Sequence, residues 1–355
     1  TLLLAGCAAC IGGTFQYGYN VSVINAPTKY VQDFVNQTWL ERYNTIISES
    51  GLTLIWSTIV SIFTIGGLIG VTVGGTLSVK IGRKGTLLAN NIFALTASLL
   101  MGLSYTTGLF ELLIIGRLLI GINAGIGLCV QPMYLIEIAP TVLRGTMGMG
   151  TSIFITAGIL IGQVVGLQEL LGREEFWPIL VYLFKESGIP AERIPYVTIG
   201  TGACECITAL TCGMLIESLG RRVLIMGGYT LMSICCVLFT VALTFQAASP
   251  VIPYISIACV FAFILSFGLG PGGVTNILTT ELFTQTARPA AYVIAGSVNW
   301  LNFFFIGLVF PFIVTGLQQY CFLVFLVICS LTATYIFFII PETKNKTFLE
   351  IQNEF

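Results

Sequence analysis

The sequence predicts an all-α membrane protein made of two pseudo-repeated helical halves, and three observations predict it. Apolar residues make up 56% of the 355-residue chain and charged residues 9%, with a mean hydropathy of +0.95, a balance outside that of soluble globular domains. About ten apolar runs are long enough to cross roughly 30 Å of hydrocarbon. One group of charged residues also occurs twice in the same order.

The apolar runs divide into five before and five after a charged stretch in the middle of the chain. Their approximate limits are 2–24, 52–78, 86–105, 110–135, 146–168, 195–217, 223–245, 252–279, 290–315 and 320–340. The middle stretch contains one apolar piece, Trp177–Phe184, which is too short to span. We therefore expect four regions: an N-terminal membrane half at 1–168, an extracellular junction at 169–194, a C-terminal membrane half at 195–341 and a cytosolic tail at 342–355.

The repeated group consists of a Gly-Arg turn, a carboxylate that ends an apolar run, and an arginine seven residues after that carboxylate. Its two copies are Gly82-Arg83-Lys84 with Glu137 and Arg144, and Gly220-Arg221-Arg222 with Glu281 and Arg288. The order is the same, the last spacing is seven residues in both copies, and the gaps from arginine to carboxylate are similar (137 − 83 = 54 and 281 − 221 = 60), which indicates one helical unit present twice. If the halves face each other, the carboxylate of each copy can pair with the last arginine of the other. These pairs would be Glu137 with Arg288, and Glu281 with Arg144.

The basic residues predict the orientation, because cytosolic loops carry an excess of Lys and Arg. If the first residue is on the cytosolic side, nine basic residues lie in cytosolic segments: Lys80, Arg83, Lys84, Arg144, Arg221, Arg222, Arg288, Lys344 and Lys346. Five basic residues lie in extracellular segments: Lys29, Arg42, Arg173, Lys185 and Arg193. Both termini are then cytosolic, and the outer loop at about 26–51 contains the sequon Asn36-Gln37-Thr38, which we expect to be glycosylated. We expect no glycan at the other two sequons, which begin at Asn20 and Asn345.

The eighth run contains Gly268-Leu269-Gly270-Pro271-Gly272-Gly273, which cannot hold a regular helix. Interrupted helices at membrane depth are tolerated where they line a cavity or pack against protein. We expect a hinge here that forms part of a substrate cavity, made by Gly268, Gly270, Pro271, Gly272 and Gly273. The alternative is a kinked helix with a packing role only.

Glycine recurs every four residues in two other runs, at Gly66, Gly70 and Gly74 and at Gly158, Gly162 and Gly166. Such stripes allow helix backbones to pack closely in lipid. We therefore expect helix–helix contacts along both.

Polar side chains within the runs are mostly amides and phenols. They are Gln16, Tyr17, Gln163, Asn276 and Asn299, with Trp300 beside the last. Amides both donate and accept hydrogen bonds, and an aromatic face can stack on the C–H side of a sugar, so this set predicts a neutral polyhydroxy solute. The alternative for each single amide is a hydrogen bond between helices.

Ionisable residues inside the runs are Arg117 and Glu205, and the only Asp, Asp33, lies in an outer loop. A proton-driven symporter requires a titratable carboxylate near its cavity, and the first run has none, which favours facilitated diffusion. The chain has no His, and its eleven Cys fall in or beside apolar runs, so we expect no metal site, no cofactor and no enzymatic activity. A net charge of −1 argues against nucleic acid as a partner.

The order of several motifs resembles that of the sugar porters of the major facilitator superfamily. The motifs are Phe15-Gln16-Tyr17-Gly18-Tyr19-Asn20, Gly82-Arg83-Lys84, Pro132-Met133-Tyr134-Leu135 with Glu137 and Pro140, Arg144-Gly145, Gly220-Arg221-Arg222, Glu281-Leu282-Phe283, Asn299-Trp300 and Pro341-Glu342-Thr343-Lys344. Over nearly the whole chain they are similar to those of the facilitative hexose transporters, in the fructose-transporter branch. The resemblance implies two six-helix halves, alternating access, and a hexose, fructose or glucose, carried down its gradient through the plasma membrane.

The resemblance also implies residue roles. It implies sugar contacts at Tyr17, Gln163, Asn276, Asn299 and Trp300. It implies a cytosolic salt-bridge network made of Arg83, Glu137, Arg144, Glu217, Arg221, Arg222, Glu281 and Arg288.

The chain departs from this family pattern in three ways. It has ten runs where the family has twelve spans, and it lacks the second part of the sixth helix, the central cytosolic helices and most of the seventh helix. Val79 stands where many sugar porters have an acidic residue. Asn276 stands where the glucose-preferring branch has a tryptophan, and Phe267 stands where the intestinal fructose transporter has a histidine. These differences argue against a plain glucose carrier.

Two alternatives stay open: a truncated, non-transporting isoform or gene-model fragment, and a proton-coupled sugar symporter.

Overall fold

The computed structural model describes residues 2–24, 28–140, 143–166, 194–245, 252–317, 320–344, 346, 350–351 and 353–354. The regular structure of these residues is helical, with no strand among them. In chain order the helices are α1 (Leu2–Ile11), α2 (Thr14–Val23), α3 (Thr28–Tyr43), α4 (Glu49–Lys80), α5 (Gly82–Thr107), α6 (Glu111–Ile138), α7 (Arg144–Val165), α8 (Ile194–Leu219), α9 (Arg221–Thr244), α10 (Ile252–Leu269), α11 (Pro271–Leu282), α12 (Arg288–Leu317) and α13 (Cys321–Ile339). The junction expected at 169–194 lies, except for its last residue, outside the described residues.

The observed helices coincide with the predicted apolar runs, except for α3, which lies in the outer loop expected at about 26–51. Within the described ranges, nine segments are long and apolar enough to span a membrane. The remaining predicted run, at 2–24, corresponds to α1 and α2, two ten-residue helices that meet at Gly12 and Gly13. The eighth run is also divided, into α10 and α11. The chain is therefore an all-α membrane protein, and the predicted fold class is confirmed.

The helices form two halves that meet along two pairs of helices. In the first half α6 packs between α4 and α5 and α2 packs against α7, while in the second α9 packs between α10 and α13. The halves touch chiefly through α7 with α8 and through α4 with α12. Their cores interlock: Tyr292 and Trp300 of α12 join the first core, and Ile136 and Met149 of the first half join the second. Side chains from each half are therefore buried by the other.

The glycine stripes bring helix backbones into contact, as expected. Gly70 of α4 faces the carbonyl of Ile122 in α6, and Gly158 of α7 faces the carbonyl of Phe15 in α2. A Cβ at either glycine would overlap the opposing carbonyl oxygen. Because lipid provides no hydrophobic driving force between helices, this close packing is what holds α4 to α6 and α2 to α7.

Helix α3 lies at the end of the bundle opposite the repeated charged groups. Arg42 donates to the Glu111 carboxylate at 2.6 Å and to the carbonyl of Gly108 at 2.5 Å, which joins α3 to the turn between α5 and α6. The hydrogen bond to Glu111 raises the pKa of Arg42 above its ordinary value. Asn36, the expected glycosylation site, is half-buried on this helix, and its glycosylation stays a prediction.

Candidate functional site

Three aromatic side chains from both halves meet near the middle of the helix bundle. The Trp300 indole of α12 lies edge-on to Tyr17 of α2 and Phe63 of α4, with ring centroids 5.8 and 5.6 Å away. Trp300 reaches α4 because Gly67 leaves room, since a Cβ there would overlap the indole ring. Trp300 is 2% exposed, and its Nε1 has no hydrogen-bond partner in the protein. This cluster joins α12 of the second half to α2 and α4 of the first and leaves a polar donor unpaired.

Gln163 of α7 lies at the second contact between the halves. Its side chain packs against Gly202 of α8, where a Cβ would overlap the amide oxygen, and the residue is 5% exposed. The Oε1 atom has no hydrogen-bond partner in the protein. An unpaired buried acceptor costs about 1–3 kcal/mol, so this amide suits a polar ligand that supplies a donor.

The other two amides expected at the site differ in exposure. Asn276 of α11 is half-buried, and its backbone carbonyl accepts the Tyr292 hydroxyl at 2.6 Å. Asn299 of α12 is exposed, one residue before the buried Trp300. Of the five predicted sugar contacts, Tyr17 and Trp300 touch each other, and the three amides stand on three different helices.

The predicted interruption of the eighth run is present, between α10 and α11. Gly270 has a non-helical backbone (φ −131°, ψ −88°), so carbonyl groups beside it lose their helical partners. Cys212 of α8 donates to the carbonyl of Leu269 at 3.0 Å, and Ser152 of α7 donates to that of Gly272 at 3.1 Å. Side chains of both halves therefore hold the break, and its movement as a hinge stays a prediction.

A second break, absent from the sequence prediction, separates α1 from α2. Gly13 has φ −129° and ψ −99°, close to the values at Gly270. Gln131 of α6 fills the gap: its Oε1 accepts the backbone N–H of Thr14 at 2.7 Å, and its Nε2 donates to the Thr14 hydroxyl at 2.8 Å. A Cβ at Gly13 would overlap that Oε1. The Gly12-Gly13 pair inside an apolar run was the sequence signal for this break.

The repeated charged groups pair within each half. Arg83 donates to the Glu137 carboxylate at 3.1 Å, and Arg221 donates to the Glu281 carboxylate at 2.9 Å. The expected ion pairing across the cleft is therefore wrong. The reason is that the Gly-Arg turn of each copy begins a helix, α5 or α9, that packs against the helix ended by the carboxylate, α6 or α11.

The last arginine of each copy has other neighbours. Arg288, expected to pair with Glu137, donates from Nε to the carbonyl of Thr280 at 2.9 Å. Glu137 nevertheless lies close enough to attract the Arg288 guanidinium electrostatically. Arg144, expected to pair with Glu281, has a buried Nε without a hydrogen-bond partner.

Glu217 of α8 joins the two halves at this end of the bundle, here called the basic end because Arg83, Arg144, Arg221 and Arg288 lie there. Its Oε1 accepts the backbone N–H of Gly145 in the first turn of α7 at 3.0 Å. Its Oε2 accepts from Arg221 at 3.2 Å. The cross-half contact thus joins a carboxylate to a backbone amide.

The segment after α13 packs onto the same end. The Glu342 carboxylate accepts the backbone N–H groups of Arg221 at 2.9 Å and Arg222 at 3.0 Å. The Thr343 hydroxyl donates to the Glu281 carboxylate at 2.5 Å. An anion at these amides stabilises the N-terminus of α9, where the helix leaves donors unpaired.

The sequence of the chain matches a known family over nearly its whole length. The profile described as "Sugar (and other) transporter" matches residues 5–184 and 167–355. The chain belongs to this sugar transporter family. The two matches overlap between residues 167 and 184, so the correspondence of the transporter with the profile is interrupted there.

Individual relatives of the transporter cover almost all of it. Human solute carrier family 2, facilitated glucose transporter member 11, is 39% identical over 458 positions, which cover 99% of this chain and 92% of the relative. Member 9 from Pongo abelii is 40% identical, and the match covers 100% of this chain and 81% of the relative. Human member 5 is 37% identical, and the match covers 100% of this chain and 92% of the relative.

Solved structures show the fold of the transporter. The major facilitator superfamily proton:xylose symporter XylE, bound to 6-bromo-6-deoxy-D-glucose, has a TM-score of 0.80 at 18% identity, covering 99% of this chain and 98% of that one. The inward-open XylE from E. coli has a TM-score of 0.70 at 19% identity, covering 99% of each chain. The transporter therefore has the major facilitator fold.

Gln16 of the transporter lies away from the aromatic cluster. It lines a cavity of about 610 Å³ between α2, α5 and α6, inside the first half. Its Oε1 is buried and has no hydrogen-bond partner in the protein. The two neighbouring residues Gln16 and Tyr17 thus face different surroundings.

Proposed function

We propose that this sugar transporter carries a hexose, fructose or glucose, down its gradient by alternating access across the plasma membrane. The halves at 1–168 and 195–341 are the two moving bodies, and the basic end and both termini are cytosolic. The observation that carries the proposal is the pair of unpaired polar atoms at the cleft, Gln163 Oε1 and Trp300 Nε1. A sugar hydroxyl both donates and accepts, so it can pair with either the amide oxygen or the indole N–H.

Two further observations support a hexose carrier. The relatives named above are facilitated glucose transporters. The halves meet by packing along α7–α8 and α4–α12, and the polar contacts between them, such as the Glu217 bond to Gly145 at the basic end, are single hydrogen bonds that can break separately. Two states that differ by only a few kcal/mol exchange readily, and a ligand shifts them by its differential affinity.

Sugar counterflow in proteoliposomes tests the two polar contacts. Trp300→Phe keeps a ring and removes the indole N–H, and Gln163→Ala removes the acceptor. Each lost hydrogen bond is worth about 1 kcal/mol, so we expect the KM for the transported hexose to rise roughly fivefold. Gln37→Ala, which removes an amide on α3 that bonds Glu41, is the matched control and leaves KM unchanged. Wild-type KM in both test variants would remove Gln163 and Trp300 from the site.

Uniport is supported by the surroundings of the buried Arg117. Its Nη1 donates to the backbone carbonyl of Asn20 at 3.1 Å, and no carboxylate of the described residues lies within 4.0 Å of it. In the described ranges, therefore, no titratable acid stands beside this cation to couple a proton to sugar movement. We expect an imposed inward pH gradient to leave fructose and glucose at equal concentrations inside and outside.

A second candidate function, proton-coupled symport, is favoured by Glu205. This carboxylate stands within α8 and has no ion-pair partner among the described residues. Sugar accumulation above the external concentration in a pH gradient, abolished by Glu205→Gln, would establish symport in place of uniport.

The third possibility is a product that does not transport. The alignment with human member 11 runs over 458 positions against the 355 residues of this chain, so the relative carries residues inside the aligned region that the chain lacks. Human member 11, reconstituted in parallel, is the positive control for counterflow. Uptake by this chain no greater than that of empty liposomes would contradict the proposed transport.

A further inference from the structure

The two edges along which the halves meet are packed in equivalent ways. Gly213 of α8 lies against Met149 of α7, and Gly75 of α4 lies against Val293 of α12. Each glycine stands eight residues before the arginine of its Gly-Arg turn. Each partner stands five residues after the last arginine of the opposite copy. Positions on the α7–α8 edge can therefore be compared directly with positions on the α4–α12 edge.

The α7–α8 edge carries a carboxylate that the α4–α12 edge lacks. Glu217 stands four residues before Arg221, accepts from its guanidinium at 3.2 Å and accepts the Gly145 N–H of the other half at 3.0 Å. Val79 stands four residues before Arg83 and is 65% exposed. An exposed isopropyl group thus stands where the equivalent position of the other edge has an anion.

The position of Val79 along α4 places it outside the hydrocarbon. Helix α4 has 32 residues, which at 1.5 Å per residue make it about 48 Å long, against about 30 Å of hydrocarbon. Val79 is the last residue but one of this helix. A soluble anion can therefore reach the space beside it.

Arg83 has fewer partners than the equivalent arginine of the second copy. Arg221 pairs with two carboxylates, whereas Arg83 pairs with one in the described ranges, that of Glu137 at 3.1 Å. The Nε of Arg83 is buried and has no hydrogen-bond partner in the part of the chain that the structure describes. This guanidinium therefore has donors left for a second anion.

Arg288 brings a second guanidinium to this edge, from the other half. Its neighbour Pro289 lies beside Gly75, one turn before Val79 on α4. The Nε of Arg288 donates to two backbone carbonyls, at 2.9 and 3.2 Å, and its other two nitrogens bond none of the described residues. Arg83 lies within electrostatic range of Arg288. The position beside Val79 is therefore flanked by arginines of both halves.

The charges around this position favour a doubly charged anion. Arg83, Arg144 and Glu137 all lie within electrostatic range of Arg288, so three positive charges face one negative charge, an excess of two. A phosphate monoester carries a charge of about −1.5 to −2 at pH 7. Its oxygens also match the forked donors of arginine. A carboxylate or a halide would neutralise only half of the excess.

We propose that a phosphate group binds beside Val79 at the basic end and joins the two halves along the α4–α12 edge. It takes the place that the Glu217 carboxylate has on the α7–α8 edge. The guanidinium groups of Arg83 and Arg288 donate to its oxygens. Because these arginines belong to different halves, the bound phosphate stabilises the contact of the halves at this end.

Scanning fluorimetry of the delipidated chain in detergent tests the site, with sodium phosphate compared with sodium chloride at equal ionic strength. We expect phosphate to raise the apparent melting temperature of the wild type about 2 °C more than that of Val79→Glu. The comparison between variants is needed because phosphate also stabilises proteins generally by exclusion from their surface. Val79→Glu supplies the anion itself, so in chloride it should melt above the wild type. Val79→Gln is the neutral matched control and keeps the wild-type response.

The arginine side of the site is tested in the same assay. Arg288→Gln should lose the extra response to phosphate, because one of the two guanidinium donors is gone. Arg222→Gln is its matched control, since it removes one positive charge at the same end from a side chain that bonds the carbonyl of Phe337 on α13. The response of this control should equal that of the wild type.

Three outcomes overturn the assignment. They are an equal response to phosphate in the wild type and Val79→Glu, the same response in Arg288→Gln and Arg222→Gln, and an equal effect of acetate on the wild type. If Arg288→Gln does not fold, Val79→Glu against Val79→Gln decides the question.

A second arm of the assay separates two sources of the phosphate group. Stabilisation by inorganic phosphate shows that a soluble molecule fills the site. Stabilisation by dioleoyl phosphatidic acid alone, again lost in Val79→Glu, shows that the phosphate comes from a lipid headgroup. Neither arm involves sugar, so the result is independent of the proposed transport.

Discussion

At the scale of single residues, the contact between the two halves near the centre of the transporter requires a glycine. Gly67 allows the Trp300 indole of the other half to lie against α4. Gly67→Ala places a methyl group inside that indole, and overpacking of this kind costs about 1–3 kcal/mol. We expect the apparent melting temperature of the detergent-solubilised protein to fall by several degrees, as measured by scanning fluorimetry.

Gly102→Ala on α5 is the matched control for this substitution. A Cβ at Gly102 meets no atom within 4 Å, and Ala is the better helix former. Its melting temperature should equal or exceed that of the wild type. If both variants melt alike, the indole does not occupy the space beside Gly67 in solution.

The residue scale also shows how far the sequence predicts the site. Amides inside apolar runs are rare and costly, and an aromatic face beside them suits a sugar, so Tyr17, Gln163 and Trp300 could be named as candidates from the sequence. Gly67 could not, because its importance depends on which helix of the other half lies opposite. The sequence also could not show that Gln16 lines a cavity inside the first half while Tyr17 packs on Trp300, since this depends on which helices lie beside each face of α2.

At the scale of helices, the transporter has two interrupted spans with nearly the same backbone angles, at Gly13 and Gly270. Each break is held by hydrogen bonds from side chains of other helices. Pro271 made the second break predictable because proline cannot continue a helix. The first break has no proline, and two glycines inside a long apolar run were not enough to predict it.

A double-mutant cycle tests the role of Gln131 at the first break. Gln131→Ala leaves the buried Thr14 N–H without its acceptor, which costs about 1–3 kcal/mol. Gly13→Ala destabilises because its methyl group meets the Gln131 amide. In the double variant that collision is absent, so the losses in melting temperature should not add. Strictly additive losses would contradict a direct clamp of Gln131 on the break.

At the scale of the whole molecule, the two halves are joined at the basic end through Glu217 and Gly145. Glu217→Ala removes the acceptor of the Gly145 N–H, a loss of about 1 kcal/mol. We expect roughly fivefold faster hydrogen exchange in the first turn of α7, as measured by mass spectrometry of peptides from that turn. Glu137→Ala, which removes a pair inside one half, is the control and leaves exchange in this turn unchanged.

The duplicated charged group shows what a repeat can and cannot predict. The repeat correctly indicated two equivalent halves, because the same order at similar spacing implies equivalent helices. It did not indicate which charges are nearest neighbours, since Arg83 and Arg221 are placed by packing within a half. Arg288 lies within electrostatic range of Glu137, so the expected attraction exists without the expected ion pair.

The bond between Glu217 and Gly145 has no counterpart on the other side of the pseudo-repeat. The residue after Arg288 is Pro289, which has no N–H to donate, and Val79 replaces the carboxylate. At the basic end the halves are consequently joined by a side-chain hydrogen bond along the edge formed by α7 and α8, whereas along the edge formed by α4 and α12 the described residues meet by apolar packing, such as Val293 beside Gly75. Separation of the halves at this end should therefore break a polar contact on the first edge and only van der Waals contacts on the second.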